Sequence, residues 1–324
     1  AYEISLGLVG SEMCIRDRHN QKPWEIGYGH IMLLDIRNAV DPMSRGLLVD
    51  AFEPDYPPLS YACDKAHQQG GTVIWCHNGQ GMEAPVAAAL GKIDAFNLFD
   101  PYWNDTEYDI YYQMLNAGIK LPASTGSDWY ICSSNRVYSW TGNKFDYSEW
   151  LDSFKRGQTF ITNGPSLQIR VGNSQPGDEI QINSGEVIPA EVQWSSHYPI
   201  QKVEIVKNGK VVGRDKYPNG STSGLFKTDL ELECDSWIAA RLFSSFRDSY
   251  LQPQFAHTSP IYIKTGLTSD VKTDASLKFV TQIDESLDWV RRKGRFYSDS
   301  QRQEIETLFL EAQDIYRKQA LETS

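Results

Sequence analysis

The alternation of apolar and polar residues changes rhythm twice along the chain. Up to residue 157, short apolar runs alternate with stretches of helical spacing. Ile31-Met-Leu-Leu-Asp-Ile36 reads as a strand. From Leu59 to Gln69, the spacing of Leu59, Ala62, Cys63 and Ala66 predicts a helix, ended by Gly70-Gly71. Thr72-Val-Ile-Trp-Cys76 is β-branched and apolar, as a buried strand is. Ala84 to Leu90 predicts a helix stopped by Gly91, and Ile93-Asp-Ala-Phe-Asn-Leu-Phe99 a further strand. Thr106 with Asp109 opens a helix running to Gly118, and Ile119-Lys-Leu-Pro-Ala-Ser124 is a fourth strand. Asp146 with Glu149 caps a helix from Ser148 to Arg156, closed by Gly157. Strand–helix–strand repetition with short links predicts a parallel sheet.

The rhythm shifts near Pro165. Residues 167–265 alternate apolar and polar, as in Lys202-Val-Glu-Ile-Val206 and Asp229-Leu-Glu-Leu-Glu233, with a hairpin turn at Asn208-Gly209. Further strands are expected at Glu191–Trp194 and Trp237–Phe243, and the region reads as an antiparallel β-sandwich. A helical rhythm then returns. Leu277, Val280, Ile283, Leu287 and Val290 form one stripe, Gly294 interrupts, and Ser298 with Gln301 opens a second helix carrying Ile305, Leu308, Ala312 and Ile315. The expected division is an α/β segment at 19–164, a β-sandwich at 165–266 and a helical hairpin at 267–324. Residues 1–18 show no sustained period and do not form a signal peptide, because Glu3 sits where positive charge belongs. They resemble a translated sequencing adapter, so they are expected to be an artefact that does not pack on the core.

Composition narrows the function. A length of 324 residues suits two domains, and 40% hydrophobic content with nine Trp and seventeen Tyr supports buried cores. The 31 Lys and Arg against 42 Asp and Glu give a formal charge of −11, which repels phosphate backbones and argues against a nucleic-acid partner. No apolar run approaches the ~18–20 residues of a membrane-spanning helix. Five cysteines without a C-x-x-C pair carry no zinc-ribbon or thioredoxin motif. The compartment stays open.

Chemistry concentrates at strand ends, where parallel α/β folds build their sites. His77 follows the strand ending at Cys76, and Asp128 follows the one ending at Ser124. His30 precedes a strand and is less well placed by that rule. His and Asp together suit a divalent cation, zinc first, with manganese or iron as alternatives. Spacing alone favours plainer roles, a hydrogen-bonded His and an Asp that caps a turn. Arg136, Trp103 and Asn163 are candidates for contact with a small-molecule substrate. Each also has an ordinary reading, as an ion-pair partner, a core aromatic and a turn residue. His67 is expected to be solvated, His197 to sit in a loop, and His257 to make a structural hydrogen bond.

Several stretches, taken in order, resemble the CehA/McbA family of metallohydrolases in the PHP superfamily. They are Gly29-His30, Gly70-Gly-Thr-Val-Ile-Trp-Cys-His77, Asp94-Ala-Phe96, Ser124-Thr-Gly-Ser-Asp128, Ser134-Asn-Arg-Val-Tyr138, Gly157-Gln-Thr-Phe-Ile-Thr-Asn-Gly-Pro165, Val203-Glu-Ile-Val-Lys-Asn-Gly209, Asp235-Ser-Trp-Ile-Ala-Ala-Arg241 and Ala256-His-Thr-Ser-Pro-Ile-Tyr262. The resemblance runs over about residues 21–320. It implies a distorted (β/α)7 barrel holding a metal cluster, then a β-sandwich. His77 matches that family's mid-chain His ligand, Asp128 its late Asp, and His30 its Gly-His position. The sequence departs from the family pattern in having no His-x-His pair, and Tyr130 stands where many PHP proteins carry a His. Four strands instead of seven imply a partial PHP-type barrel. The expectation is a fragment of a metal-dependent hydrolase that uses activated water on an ester, amide, carbamate or phosphoester, inactive alone for want of the early ligands. An exported parent is compatible with the class. The alternative is a non-catalytic paralogue, or a carbohydrate- or protein-binding module built on the sandwich. Against the module, no row of exposed aromatics at strand period stands out in 167–265.

Overall fold

The computed structural model describes residues 27–40, 54–98, 108–126, 134–249 and 251–322. The adapter-like segment 1–18 lies outside them. The described chain is mixed α/β, with a C-terminal helical hairpin, and its strands close no barrel among the described residues. It divides into two compact units: residues up to Phe96 with 117–119 and 272 onward, and residues 97–116 with 120–271.

The first unit holds β1 (Ile31–Leu34), α1 (Leu59–His67), β2 (Thr72–Trp75), α2 (Ala84–Ala89) and β3, which runs from Ala95 to Asn97 across the division. The predicted stops are in place: Gly70 and Gly91 both take positive φ, a conformation that costs glycine nothing. β2 is buried along its whole length, as its β-branched run requires. Its neighbours correct the parallel-sheet expectation. β2 and β3 are parallel, but β1 and β2 are antiparallel, with Ile31 opposite Trp75 and Leu34 opposite Thr72. A strand's apolar run does not encode the sense of its pairing.

The helical hairpin, α5 (Asp270–Arg292) and α6 (Asp299–Leu321), belongs to this unit from Lys272 on. The Ser298 side chain accepts from Gln301 N, and Gln301 Oε1 accepts from Tyr297 N at 3.0 Å. The buried stripe keeps Ile283, Leu287, Val290, Ile305 and Ala312 of the expected one and departs from it at the other positions. Phe279, Ile283, Leu287 and Val290 are buried on α5, whereas Leu277 is 49% exposed. On α6, Phe309 and Tyr316 take the depth predicted for Leu308 and Ile315, and Tyr316 donates to Pro85 O at 2.9 Å. The larger rings fill the seam between the helices, where they bury more apolar surface.

The second unit begins with α3 (Asp109–Asn116) and β4 (Ala123–Ser124), Leu98 N donating to Ser124 O at 2.8 Å. β5 (Arg136–Ser139), α4 (Tyr147–Lys155) and β6 (Thr159–Thr162) follow. Asp146 caps α4 by accepting from Glu149 N, as the sequence predicts. β7 (Ser166–Val171), β8 (Glu179–Gln181), β9 (Glu186–Lys207), β10 (Lys210–Leu232), β11 (Ser236–Arg247), β12 (Pro253–Thr258) and β13 (Ile261–Lys264) complete the unit. The sheet runs β10-β9-β11-β12-β6-β5, with β7 on β9 and β13 on β11. Asn208 and Gly209 both have positive φ in the β9–β10 turn, the backbone a two-residue hairpin needs. The first half of β9 pairs with β7 and the second half with β11, and β7 also packs across β11 and β12 without pairing with them. Leu167, Ile169, Val192, Trp194, Val203, Ile205 and Leu242 are buried together between these strands. Pairing is antiparallel except that β8 runs parallel to β13. β5 and β6, grouped by their sequence with the α/β segment, pair into this β unit through β12.

Candidate functional site

Two loops in the first unit are held against each other by backbone. Met82 N and Glu83 N donate to Gly27 O and Tyr28 O, each at 3.0 Å, and Cys76 N donates to His30 O at 3.0 Å. Gly29 and Gly81 meet where a Cβ on Gly81 would stand 2.3 Å from Gly29 Cα, so neither position admits a side chain. Trp75 Nε1 donates to Gln80 O at 2.9 Å and holds the far side of the loop.

Between these anchors His30 and His77 converge. His30 Nδ1 lies 2.6 Å from His77 Nε2, with ring centroids 4.8 Å apart. His30 precedes β1, yet it reaches the C-terminal end of β2, because antiparallel pairing carries the start of β1 to the end of β2. His77 and its neighbour Asn78 both have φ 52° in a 3₁₀ turn. Two successive non-glycine residues in the left-handed region hold strain of a kind that gathers at functional sites.

Two zinc-bound imidazole nitrogens at tetrahedral angles stand about 3.3 Å apart. At 2.6 Å the pair is at hydrogen-bond distance, one ring donating and the other accepting. A shared cation therefore requires the rings to part by roughly 0.7 Å. The donor chemistry fits, and the spacing fits after that movement. No group of three or more His, Cys, Asp or Glu poised for a metal occurs among the described residues. Asp128 and Trp103 lie outside those residues.

The remaining candidates are in the second unit. Asn163 is buried, and its side chain is engaged by the protein: Oδ1 accepts from Phe255 N at 2.8 Å, and Nδ2 donates to Pro253 O at 2.9 Å and to Asp248 at 3.3 Å. That geometry makes it a structural hub. Arg136 is exposed and donates to Asn135 O at 2.7 Å. His67, expected to be solvated, bonds Asp94 at 2.9 Å, and Asp94 also accepts from Val73 N at 2.7 Å. His197 is exposed on β9, where the pairing with β10 is irregular. His257 is fully buried, with Nδ1 at 2.7 Å from Thr258 O and Nε2 at 2.8 Å from Tyr112 OH. Burial and the nearby Arg241 charge push its pKa down to about 3, so the ring is neutral, donates to Thr258 O and accepts from Tyr112.

Two buried carboxylates escaped the sequence reading. Glu83 accepts from Leu59 N at 2.8 Å and Ser60 N at 2.7 Å, capping the start of α1 from a distant segment. Burial pushes its pKa up to about 7 despite those bonds. Glu204 is 1% exposed and meets Arg241 at 2.8 Å, Arg214 at 2.7 Å and Lys202 at 3.4 Å. Arg241 in turn lies over the Tyr108 ring at 5.0 Å. The alternation of β9 places Glu204 opposite Val203 and Ile205, which signals a polar face. Only the rings of Tyr108 and Tyr112 above Arg241 show that this face is covered.

No family model and no curated protein matches the chain. Among solved structures, a lytic polysaccharide monooxygenase from Jonesia denitrificans, known from a neutron crystallographic structure, shares 17% identity over 47% of this chain and 94% of its own, with a TM-score of 0.21. A likeness of that size carries no argument about fold or activity.

Proposed function

We propose that the His30–His77 end of the first unit is a divalent-metal site serving hydrolysis of a small-molecule ester, amide, carbamate or phosphoester. One observation carries the reading: two imidazoles from separate segments converge nitrogen to nitrogen at 2.6 Å, one of them on strained backbone. The resemblance to CehA/McbA metallohydrolases supports it and adds Asp128 as a further ligand. On this reading the α/β segment is the PHP-like part and the β layers are a β-sandwich. His30 and His77 hold the cation, and the glycine contact between Gly29 and Gly81 keeps their two loops in place. A bound cation supplies the Lewis acidity that activates water.

The test is metal titration of the chain with zinc and with manganese, followed by metal analysis after dialysis. Retention of one ion per chain is expected, with affinity at least tenfold weaker in His30→Ala, His77→Ala and Asp128→Ala. Full metal content in both histidine variants would overturn the site. The metal-loaded chain is then screened on the four substrate classes, where little or no turnover is expected from two histidines and one further ligand; turnover that is present and persists unchanged in His77→Ala would overturn the hydrolytic role.

A further inference from the structure

The second unit carries a groove of about 300 Å³ along β5, β6 and β7, near the lower limit of small-ligand pockets at about 300 Å³. It was illegible in the sequence because β5 lies outside 167–265, where a row of aromatics was sought. β5 is the last strand of its sheet path, and Arg136, Tyr138 and Trp140 follow one another at strand period on its exposed side. Tyr138 is 53% exposed and Trp140 is 64% exposed. Tyr138 stands opposite Phe160 of β6, and the two rings stack at 4.9 Å and 8°. Trp140 N donates to Gln158 O at 3.1 Å, which ties the tryptophan's backbone beyond the end of the strand.

The groove's polar lining is as selective as its rings. Gln158, Gln168 and Arg170 line it, and no carboxylate does. That is notable in a chain with a formal charge of −11. Arg170 pairs in register with Glu191 of β9, but Glu191 makes its ion pair with Lys227 at 2.6 Å. Arg170 therefore has no ion pair among the described residues. Flat exposed rings offer apolar faces, amides offer donors and acceptors, and one unpaired guanidinium offers a fork for a carboxylate.

We infer that this groove binds an acidic saccharide, a pyranose unit bearing a carboxylate. The CH face of the sugar lies on Tyr138 and Trp140, its hydroxyls meet the glutamine amides, and its carboxylate meets Arg170. Dispersion on the rings and a charge-assisted bond at one corner together favour this ligand over an apolar peptide, which would offer nothing to the Arg170 guanidinium or the Gln168 amide; Gln158 Oε1 already accepts from Ser153 and Arg156. The inference is independent of the metal proposal, because it rests on other residues in the other unit.

The test uses the full chain and two probes, a galacturonate disaccharide and its neutral galactose counterpart, measured by calorimetry and by saturation-transfer NMR. The uronate should bind at least tenfold more tightly than the neutral sugar, and its affinity should fall with added salt. Trp140→Ala should weaken both sugars tenfold or more. Arg170→Gln should erase the preference while leaving neutral-sugar binding as it was. Arg170 is exposed on β7 and Trp140 is exposed just beyond the end of β5, and circular dichroism checks that each variant folds. His77→Ala and metal chelation should leave sugar binding unchanged. The inference is overturned if neither sugar binds, if both bind equally, or if Trp140→Ala binds like the parent chain. It is also overturned if sedimentation shows a dimer that Trp140→Ala abolishes, since the face would then belong to a second copy.

Discussion

Glu83 in the first unit and Glu204 in the second are both sealed from solvent, and burial disfavours the charge of both, yet their pKa values move in opposite directions. Glu83 has two backbone N–H donors and no bonded cation among the described residues, and burial lifts its pKa to about 7. Burial also opposes ionisation of Glu204, but hydrogen bonds and charge from Arg241, with Lys202 and Arg214, outweigh it and hold the carboxyl below its usual range. What decides a buried acid's charge is the set of groups the fold brings to it. The first unit keeps an acid whose ionisation works against folding. The second keeps an ionised acid in a cationic cradle beside a neutral histidine.

The contrast can be broken most forcefully at Glu204. Glu204→Ala leaves Arg241 without its carboxylate beneath the tyrosine rings. The expected loss is roughly 3–5 kcal/mol of unfolding free energy, as for other buried pairs cut on one side, measured by urea denaturation. A loss under about 1 kcal/mol would mean that the cradle is already wet and the burial argument fails.

A pH series on Glu83 comes next. Its folded pKa is raised from 4.5 to about 7, so folding prefers the protonated form. Its contribution is complete below pH 4.5 and is lost as pH rises toward and through 7. The parent chain should lose about 3 kcal/mol relative to Glu83→Gln between pH 4.5 and 7.5. A flat difference would show that the two backbone donors stabilise the carboxylate more than burial disfavours it.

The smallest expected effect sharpens the contrast by its sign. His257 has a folded pKa lowered from 6.5 to about 3, so folding prefers the neutral ring. Its contribution is complete above pH 6.5 and is lost as pH falls toward 3. The parent should lose about 2 kcal/mol relative to His257→Gln between pH 7 and pH 5. Hydrogen exchange in the same pH series should place the acid-sensitive opening in β11 and β12 and the alkali-sensitive one around α1. Both openings in one unit would end the comparison.

The local grammar of the fold was legible without coordinates. Asp146 and Ser298 mark helix starts, Gly70, Gly91 and Gly157 mark ends, and Asn208-Gly209 marks the hairpin, because each effect acts within about four residues along the chain. The alternation of β9 and β10 is equally local. Most of the hairpin stripe was legible too, with Ile283, Leu287, Val290, Ile305 and Ala312 buried as expected, but at Leu308 and Ile315 the neighbouring rings of Phe309 and Tyr316 take the seam instead.

Of the candidate metal site, His77 was placed by its own sequence, as a residue following a buried strand. His30 was marked down because it precedes one, and only the antiparallel pairing of β1 with β2 brings it within 2.6 Å of His77. In the same way, Tyr138 and Trp140 were ordinary aromatics until β5 took its place at the end of the β sheet. By itself, the sequence determined where the capped helices start and stop and where the β9–β10 hairpin turns, because periodicity, caps and turns depend on near neighbours. The tertiary structure alone decided the sense of strand pairing, the partners of buried charge and the companions of each histidine. Those depend on residues brought together across tens or hundreds of positions, which no local pattern encodes.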